Sequence, residues 1–188
     1  MALTNKRAKK KSETRLETAL IRAVARKDKE ALKQLFESYH KRIFSFAYKL
    51  TNDFETANDI TSDVFVTIWE RAGSFKGDSP LSTWIFGITR NKVLTYYRNR
   101  HHFTNIDEAN LSSDSGDQTD AREDIRYALG RLSLEHREAV EMIFYLGFTY
   151  EEAAQIAGCP VGTIKSRIFH AKKLLGHYLS IDKRSYAP

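Results

Sequence analysis

Lys165, Arg167, Lys172 and Lys173 stand close together near the C-terminal end of this 188-residue chain, with Ser166, Phe169 and His170 among them. Cations and short polar side chains at that density suit one kind of chemistry. They meet the phosphates and base edges of a nucleic acid. Phe169 sharpens the point, because a helix packed only for stability rarely leaves a Phe among lysines. The competing reading is an ordinary basic solvated face with a half-buried Phe. The turn beside that face favours DNA contact.

The elements that must position these residues lie in residues 149–175. Thr149 followed three residues later by Glu152 is a capping-box spacing. Ala153, Ile156 and Ala157 give an apolar stripe for a first short helix. Gly158 lets the chain turn, and Pro160 stops that helix from continuing. Val161, Ile164, Ile168, Ala171 and Leu175 then fall on one face at steps of three and four residues. The pattern predicts a helix-turn-helix whose second helix enters the major groove.

A second constellation runs from Phe75 to Asn91. The loop Gly73-Ser-Phe-Lys-Gly-Asp-Ser79 carries two glycines and a Phe. It feeds a helix that bears Trp84, Arg90, Asn91 and Lys92, and Ser79-Pro80 reads as the capping residue and first-turn proline of that helix. Such a loop can approach a backbone closely and stack on, or enclose, an extruded base. Arg90, Lys92, Arg98 and Arg100 can meet phosphates. Tyr96 and Tyr97 either stack or pack. Trp84 reads more readily as core than as a stacking residue, which leaves Phe75 and Asn91 as the stronger base contacts.

Composition agrees with a polyanionic partner. Thirty Lys and Arg against twenty-four Asp and Glu give a formal net charge of +6. The single cysteine, Cys159, excludes an internal disulfide, fits a reducing cytoplasm and serves as small filler in the turn. No apolar run is long enough to span a bilayer, and the basic N-terminus lacks the apolar segment of a secretory signal.

The expected fold class is all-α, with two helical domains joined by a flexible acidic linker. Residues 1–13 form a basic disordered tail. The first domain covers 14–102. Its stripes are Leu16, Leu20, Ile21 and Val24; Ala31, Leu32, Leu35, Phe36 and Tyr39; then Ile43, Phe44, Phe46, Ala47 and Leu50. Thr51-Asn-Asp53 breaks the run. Ala57, Ile60, Val64, Ile68 and Trp69 form the next stripe, with Phe65 at its edge. Residues 103–123 carry Asp107, Glu108, Asp114, Asp117, Asp120 and Glu123 against Arg122 alone, and have no core pattern. The second domain covers 124–180, and 181–188 are a short tail. Two nucleic-acid-facing helices on one tether suggest two DNA elements read at a set spacing.

In this order the motifs resemble the extracytoplasmic-function (ECF) sigma factors of bacterial RNA polymerase, in the sigma-70 family, and especially the envelope-stress, RpoE-like members. The resemblance covers Ala31 to Leu179. Asp59-Ile-Thr-Ser-Asp-Val-Phe65 with Trp69 is similar to the core-binding helix of sigma region two. Ser74-Phe-Lys-Gly-Asp-Ser79, Thr83-Trp-Ile85 and Arg90-Asn91 resemble the minus-ten loop and helix. Tyr150-Glu-Glu152, Cys159-Pro-Val-Gly-Thr163 and Lys165-Ser-Arg-Ile-Phe169 resemble region four.

The resemblance implies roles. Asp59, Asp63 and Phe65 would dock on the largest subunit of core polymerase. Phe75, Lys76, Gly77, Ser79, Trp84, Arg90 and Asn91 would hold the minus-ten element around a flipped base. Thr163, Lys165, Ser166, Arg167, Phe169, His170 and Lys173 would read the minus-thirty-five element. The linker would thread toward the active-site and RNA-exit path. Catalysis would stay with the polymerase, so the chain is expected to be no enzyme, with no catalytic residue, metal or cofactor; His101-His102 are adjacent and lack ligand spacing. The implied partners are core polymerase, promoter DNA and an anti-sigma factor, in the cytoplasm and without membrane insertion.

Three residues depart from the family pattern. Ser62 stands where Gln is usual, and Asn58 where an acid is common, which weakens the negative patch. A phosphate on Thr61 or Ser62 would restore roughly −1.5 to −2 charges. His170 replaces the more usual Arg, making its contact weaker or pH-sensitive. The alternative function is an ordinary helix-turn-helix regulator that does not bind core polymerase. Against it, no receiver-like alternation of strands and helices precedes residue 123. A nucleic-acid-modifying enzyme would need a metal cluster, a phosphate loop or a partnered nucleophile.

Overall fold

A computed structural model describes residues 15–103, 125 and 128–185. These residues are helical with no strand among them, and they divide near Tyr97 into two compact units. The basic tail at 1–13 and nearly all of the acidic linker at 103–123 lie outside the described residues.

The first unit contains α1 (15–25), α2 (Lys29–Thr51), α3 (Phe54–Arg71), a 3₁₀ turn (Ala72–Ser74) and α4 (Leu81–Phe103). Local chemistry sets the boundaries. The Asp28 carboxylate caps α2, accepting from the backbone N–H of Glu30 at 2.9 Å and of Ala31 at 3.1 Å. Asn52 ends α2 in a left-handed conformation, φ 53°, which Asn tolerates better than most residues. Asp53 then caps α3 through the Thr56 N–H at 2.6 Å. The break expected at Thr51–Asp53 is therefore a C-cap and an N-cap back to back.

α3 packs along α2. Leu35, Ile43, Phe46, Leu50, Ile68, Leu81, Ile85 and Phe86 are fully buried, and Phe46 meets Phe86 edge-on at 5.5 Å. Each such side chain contributes about 1.5–3 kcal/mol of transfer free energy. Leu16, placed by spacing on the α1 stripe, is instead 68 % exposed, while Ile21 and Val24 are buried. Polar contacts complete the unit. Tyr39 Oη donates to Glu17 at 2.5 Å and Tyr97 Oη to the Leu50 carbonyl at 2.7 Å. Burial, with the Glu17 carboxylate beside it, pushes the Tyr39 phenol far above its ordinary pKa, so it stays a donor. Lys27 donates through Nζ to the Trp69 carbonyl at 2.5 Å and lies 4.9 Å from the indole centroid.

The second unit contains a helical turn α5 (128–130), α6 (Leu134–Val140), a π turn (Glu141–Tyr145), α7 (Tyr150–Ala157) and α8 (Val161–Ser185). Ser133 caps α6. The π turn closes with the Leu146 N–H on the Glu141 carbonyl at 2.9 Å, before Gly147 at φ 72°. α8 packs on α6 and runs to Ser185, so the tail expected from 181 is helical over its first residues. Ala139, Met142, Ala153, Ile164 and Ala171 fill the core. Glu138 and Glu141 are buried among them at 2 % exposure, which their periodicity does not announce.

Candidate nucleic-acid and polymerase-facing surfaces

The outer face of α3 carries Asn58, Asp59, Ser62, Asp63 and Val66, all exposed. Asp59, Ser62, Asp63 and Val66 are three, four and seven residues apart, which puts them on one helical stripe. Val66, 55 % exposed, is the member that sequence reasoning missed; its seven-residue spacing from Asp59 was the available signal. Phe65 sits elsewhere. It is 7 % exposed and packs on Phe36 at 4.8 Å, so it shapes this surface from beneath. Thr61 is also buried, its hydroxyl donating to the Ala57 carbonyl at 2.7 Å. A kinase could not reach it in the folded chain, whereas Ser62 is exposed.

Asp63 is not a free acid. Its Oδ2 accepts from Lys92 Nζ at 3.1 Å. The pair links the acidic stripe of α3 to the basic side of α4, the helix that carries Arg90 and Asn91.

The loop before α4 is built by a 3₁₀ turn in which the Phe75 N–H reaches the Ala72 carbonyl at 3.2 Å. Phe75 is half-buried, with its ring 5.7 Å from Trp84. Lys76, Gly77 and Asp78 are exposed, and Gly77 sits at φ 84°, where a side chain would be strained. Helix α4 starts at Leu81, directly after Ser79-Pro80, and the Trp84 N–H bonds the Pro80 carbonyl at 3.3 Å. Ser79 is half-buried. Trp84 is half-buried rather than core, and exposed Asn91 lies two turns further along the same face. Arg90 is half-buried. Phe75, Trp84 and Asn91 thus form one line from loop to helix. Beneath it the Thr83 hydroxyl is buried without a hydrogen-bond partner among the described residues.

The second unit builds the helix-turn-helix as its sequence dictates. Thr149 N–H donates to Glu152 Oε2 at 2.8 Å, and Glu152 N–H donates to Thr149 Oγ1 at 3.1 Å. Gly158 turns the chain at φ 62°, and the Cys159 N–H reaches back to the Ala154 carbonyl at 3.1 Å. Ile164, Ile168 and Ala171 face the core. Lys165, Ser166, Phe169, His170 and Lys173 are exposed, and Thr163 is half-buried. Phe169 is 67 % exposed, so the stripe does not use it as core.

Arg167 behaves differently from its basic neighbours. It is half-buried, and its Nη1 is enclosed without a hydrogen-bond partner among the described residues. Its charge helps hold Glu135 of α6 below the usual carboxylate range; the main cause there is a hydrogen bond from that residue's own backbone N–H, opposed by partial burial and aided by Ser133. Two further residues escaped sequence reasoning. Arg137 donates to three backbone carbonyls (Leu129, Gly130 and Leu132), and His136 lies beside His170 with ring centroids 6.3 Å apart.

Among the described residues, no helix is long and apolar enough to cross a membrane.

Comparison with known proteins covers both units. Residues 35–103 match the family model for sigma-70 region 2, and residues 122–175 match that for sigma-70 region 4. The ECF RNA polymerase sigma factor EcfG of Rhodopseudomonas palustris is 34 % identical over 145 residues, 73 % of this chain and 79 % of that protein. The ECF sigma factor RpoE of Cereibacter sphaeroides is 29 % identical over 170 residues, 86 % and 94 % of the two chains. Among solved structures, sigma factor RpoE of Bartonella quintana, crystallised with the anti-sigma factor NepR, matches with TM-score 0.66 and 31 % identity, covering 80 % of this chain and 97 % of that one. CnrH, solved with the cytosolic domain of CnrY, shares the fold with TM-score 0.68 at 24 % identity, covering 88 % and 97 %.

Proposed function

We propose, for a chain that belongs to the extracytoplasmic-function sigma factors of the sigma-70 family, a division of labour among the surfaces just described. The protein is an RNA polymerase sigma factor, and the proposal concerns which residues do what. The stripe Asp59, Ser62, Asp63 and Val66 docks on core polymerase, with Phe65 holding the helix surface in shape from below. Carboxylates beside an apolar residue suit a basic partner helix with an apolar seam.

The loop with Phe75, Lys76, Gly77 and Ser79 and the helix with Trp84, Arg90 and Asn91 hold the minus-ten element. Phe75 and Trp84 form an aromatic wall for an unstacked base, Asn91 offers donors and acceptors to its edge, and Lys76 and Arg90 meet phosphates. Helix α8 enters the major groove of the minus-thirty-five element. Lys165, Ser166, Phe169, His170 and Lys173 are its exposed contacts, joined by half-buried Thr163. Arg167, held near Glu135, acts at the edge of that contact. The polymerase supplies the chemistry, so this chain recognises promoters and is not itself a catalyst.

An anti-sigma factor is the proposed regulator, as the complex of Bartonella RpoE with the anti-sigma factor NepR suggests. The proposed setting is a cytoplasmic stress or envelope response. The observation that carries the reading is the pairing in one chain of an exposed acidic stripe on α3 with an exposed basic, Phe-bearing face on a capped helix-turn-helix.

Two experiments test it. Purified chain is expected to co-elute with bacterial core polymerase on size exclusion, and separate elution at micromolar concentration would remove the docking role. Lys165→Ala is expected to weaken binding to duplex DNA and to lower the slope of log affinity against log salt by about one. An unchanged slope would mean that Lys165 meets no phosphate.

A further inference from the structure

His136 belongs to no motif, yet the fold brings it from α6 to the rim of α8. Its ring and that of His170 lie 6.3 Å apart by centroid, at 65° to one another. His170 is exposed and is backed by the Phe169 ring at 5.5 Å.

Ser133 orients the His136 ring. Its Oγ lies 2.8 Å from Nδ1 and accepts the His136 backbone N–H at 3.4 Å, and its hydroxyl also serves the Glu135 carboxylate. In the charged ring both nitrogens donate: Nδ1–H meets Oγ, and Nε2–H is left to offer to a partner. The charged groups around the pair are Glu135 on α6 and Arg167 and Lys173 on α8. Glu135 lies in the field of Arg167 as well as that of His136. Arg137 is committed to backbone carbonyls and does not compete.

We propose that His136 and His170 together grip one backbone phosphate of the promoter duplex, so that α6 as well as α8 holds the DNA. A phosphodiester oxygen accepts from two such donors, and its charge relieves the repulsion between two protonated rings at this distance. Continuity with exposed Lys165, Ser166 and Phe169 on the same helix points to duplex DNA as the occupant. The inference rests on reading α8 as the minus-thirty-five helix. A phosphate favours the charged imidazole, which has a donor on each ring nitrogen.

The test uses the full chain and a short mixed-sequence DNA duplex, since a phosphate contact is independent of sequence. Affinity is measured over a range of salt concentrations to give the salt slope. His136→Gln and His170→Gln are each expected to lose about three- to tenfold in affinity and up to about one unit of salt slope. The double variant is expected to lose less than the sum, because the pair shares one phosphate. His170 is exposed, so its variant reports on the clamp even if His136→Gln disturbs α6. Wild-type affinity and slope in both variants, with Lys165→Ala still weakened, would overturn the clamp and leave the reading helix standing. If Lys165→Ala also binds as wild type, the reading of α8 fails and the clamp with it.

Discussion

Arg137→Ala is expected to destabilise the second unit by about 3 kcal/mol, the largest effect of any single change outside the hydrophobic cores. The guanidinium donates from Nε to the Leu129 carbonyl at 3.1 Å, and from Nη2 to the Gly130 and Leu132 carbonyls at 2.6 and 3.2 Å. These are carbonyls at the end of α5 and in the turn that follows, of which the Leu129 carbonyl also accepts the Leu132 N–H at 3.2 Å. A charge-assisted hydrogen bond is worth about 1.5–3 kcal/mol, and bonds sharing one donor group do not add in full. In a unit of this size the loss lowers the midpoint of melting by roughly 10–20 °C. Arg137→Lys is expected to recover less than half of it, because a point ammonium cannot span a fork of carbonyls. Thermal unfolding followed by circular dichroism checks this. A melt of the Ala variant that superposes on the wild type would show that the three bonds contribute nothing net.

Asp63→Arg is expected to cost core-polymerase affinity about 100-fold, or about 2.7 kcal/mol. The substitution turns an attraction into a like-charge contact at the middle of the α3 stripe. It leaves the fold nearly untouched, since the Asp63–Lys92 pair at 3.1 Å is exposed and such a pair is worth about 0.2–1 kcal/mol. That pair gives the change a signature. Freed from Asp63, Lys92 becomes available to phosphates, so binding to duplex DNA is expected to hold or rise slightly while core binding collapses. Lys92→Ala is expected to do the opposite, raising core affinity up to about threefold by leaving the Asp63 carboxylate unshared. Titration of labelled chain with core polymerase measures both. Equal loss of core and DNA binding in Asp63→Arg would indicate misfolding and remove the docking role.

What the sequence makes legible is what local chemistry decides. The Thr149–Glu152 box, the Gly158 turn, the Pro160 stop and the three-four spacing of Ile164, Ile168 and Ala171 all act within a few residues. Each appears in the structure as written. The double cap at Asn52 and Asp53 is equally local. What stays illegible depends on partners distant in the chain. Phe65 looks like an edge residue until Phe36 of α2 covers it. Thr61 looks modifiable until its helix packs on the core. Asp63 and Lys92 are 29 residues apart, and His136 meets His170 only because α6 packs on α8. Buried Glu138 and Glu141 invert the usual rule for acids on a helix. None of these pairings has a periodic signal in one sequence.

The most direct test of the account is run-off transcription from fragmented genomic DNA of the source bacterium, with purified core polymerase and this chain, mapping RNA start sites. Discrete starts are expected downstream of a shared pair of elements at fixed spacing. Those starts should be absent without the chain, lost with Asp63→Arg and weakened with Lys165→Ala. Specific DNA binding without any new start, or starts that persist unchanged with Asp63→Arg, would contradict it.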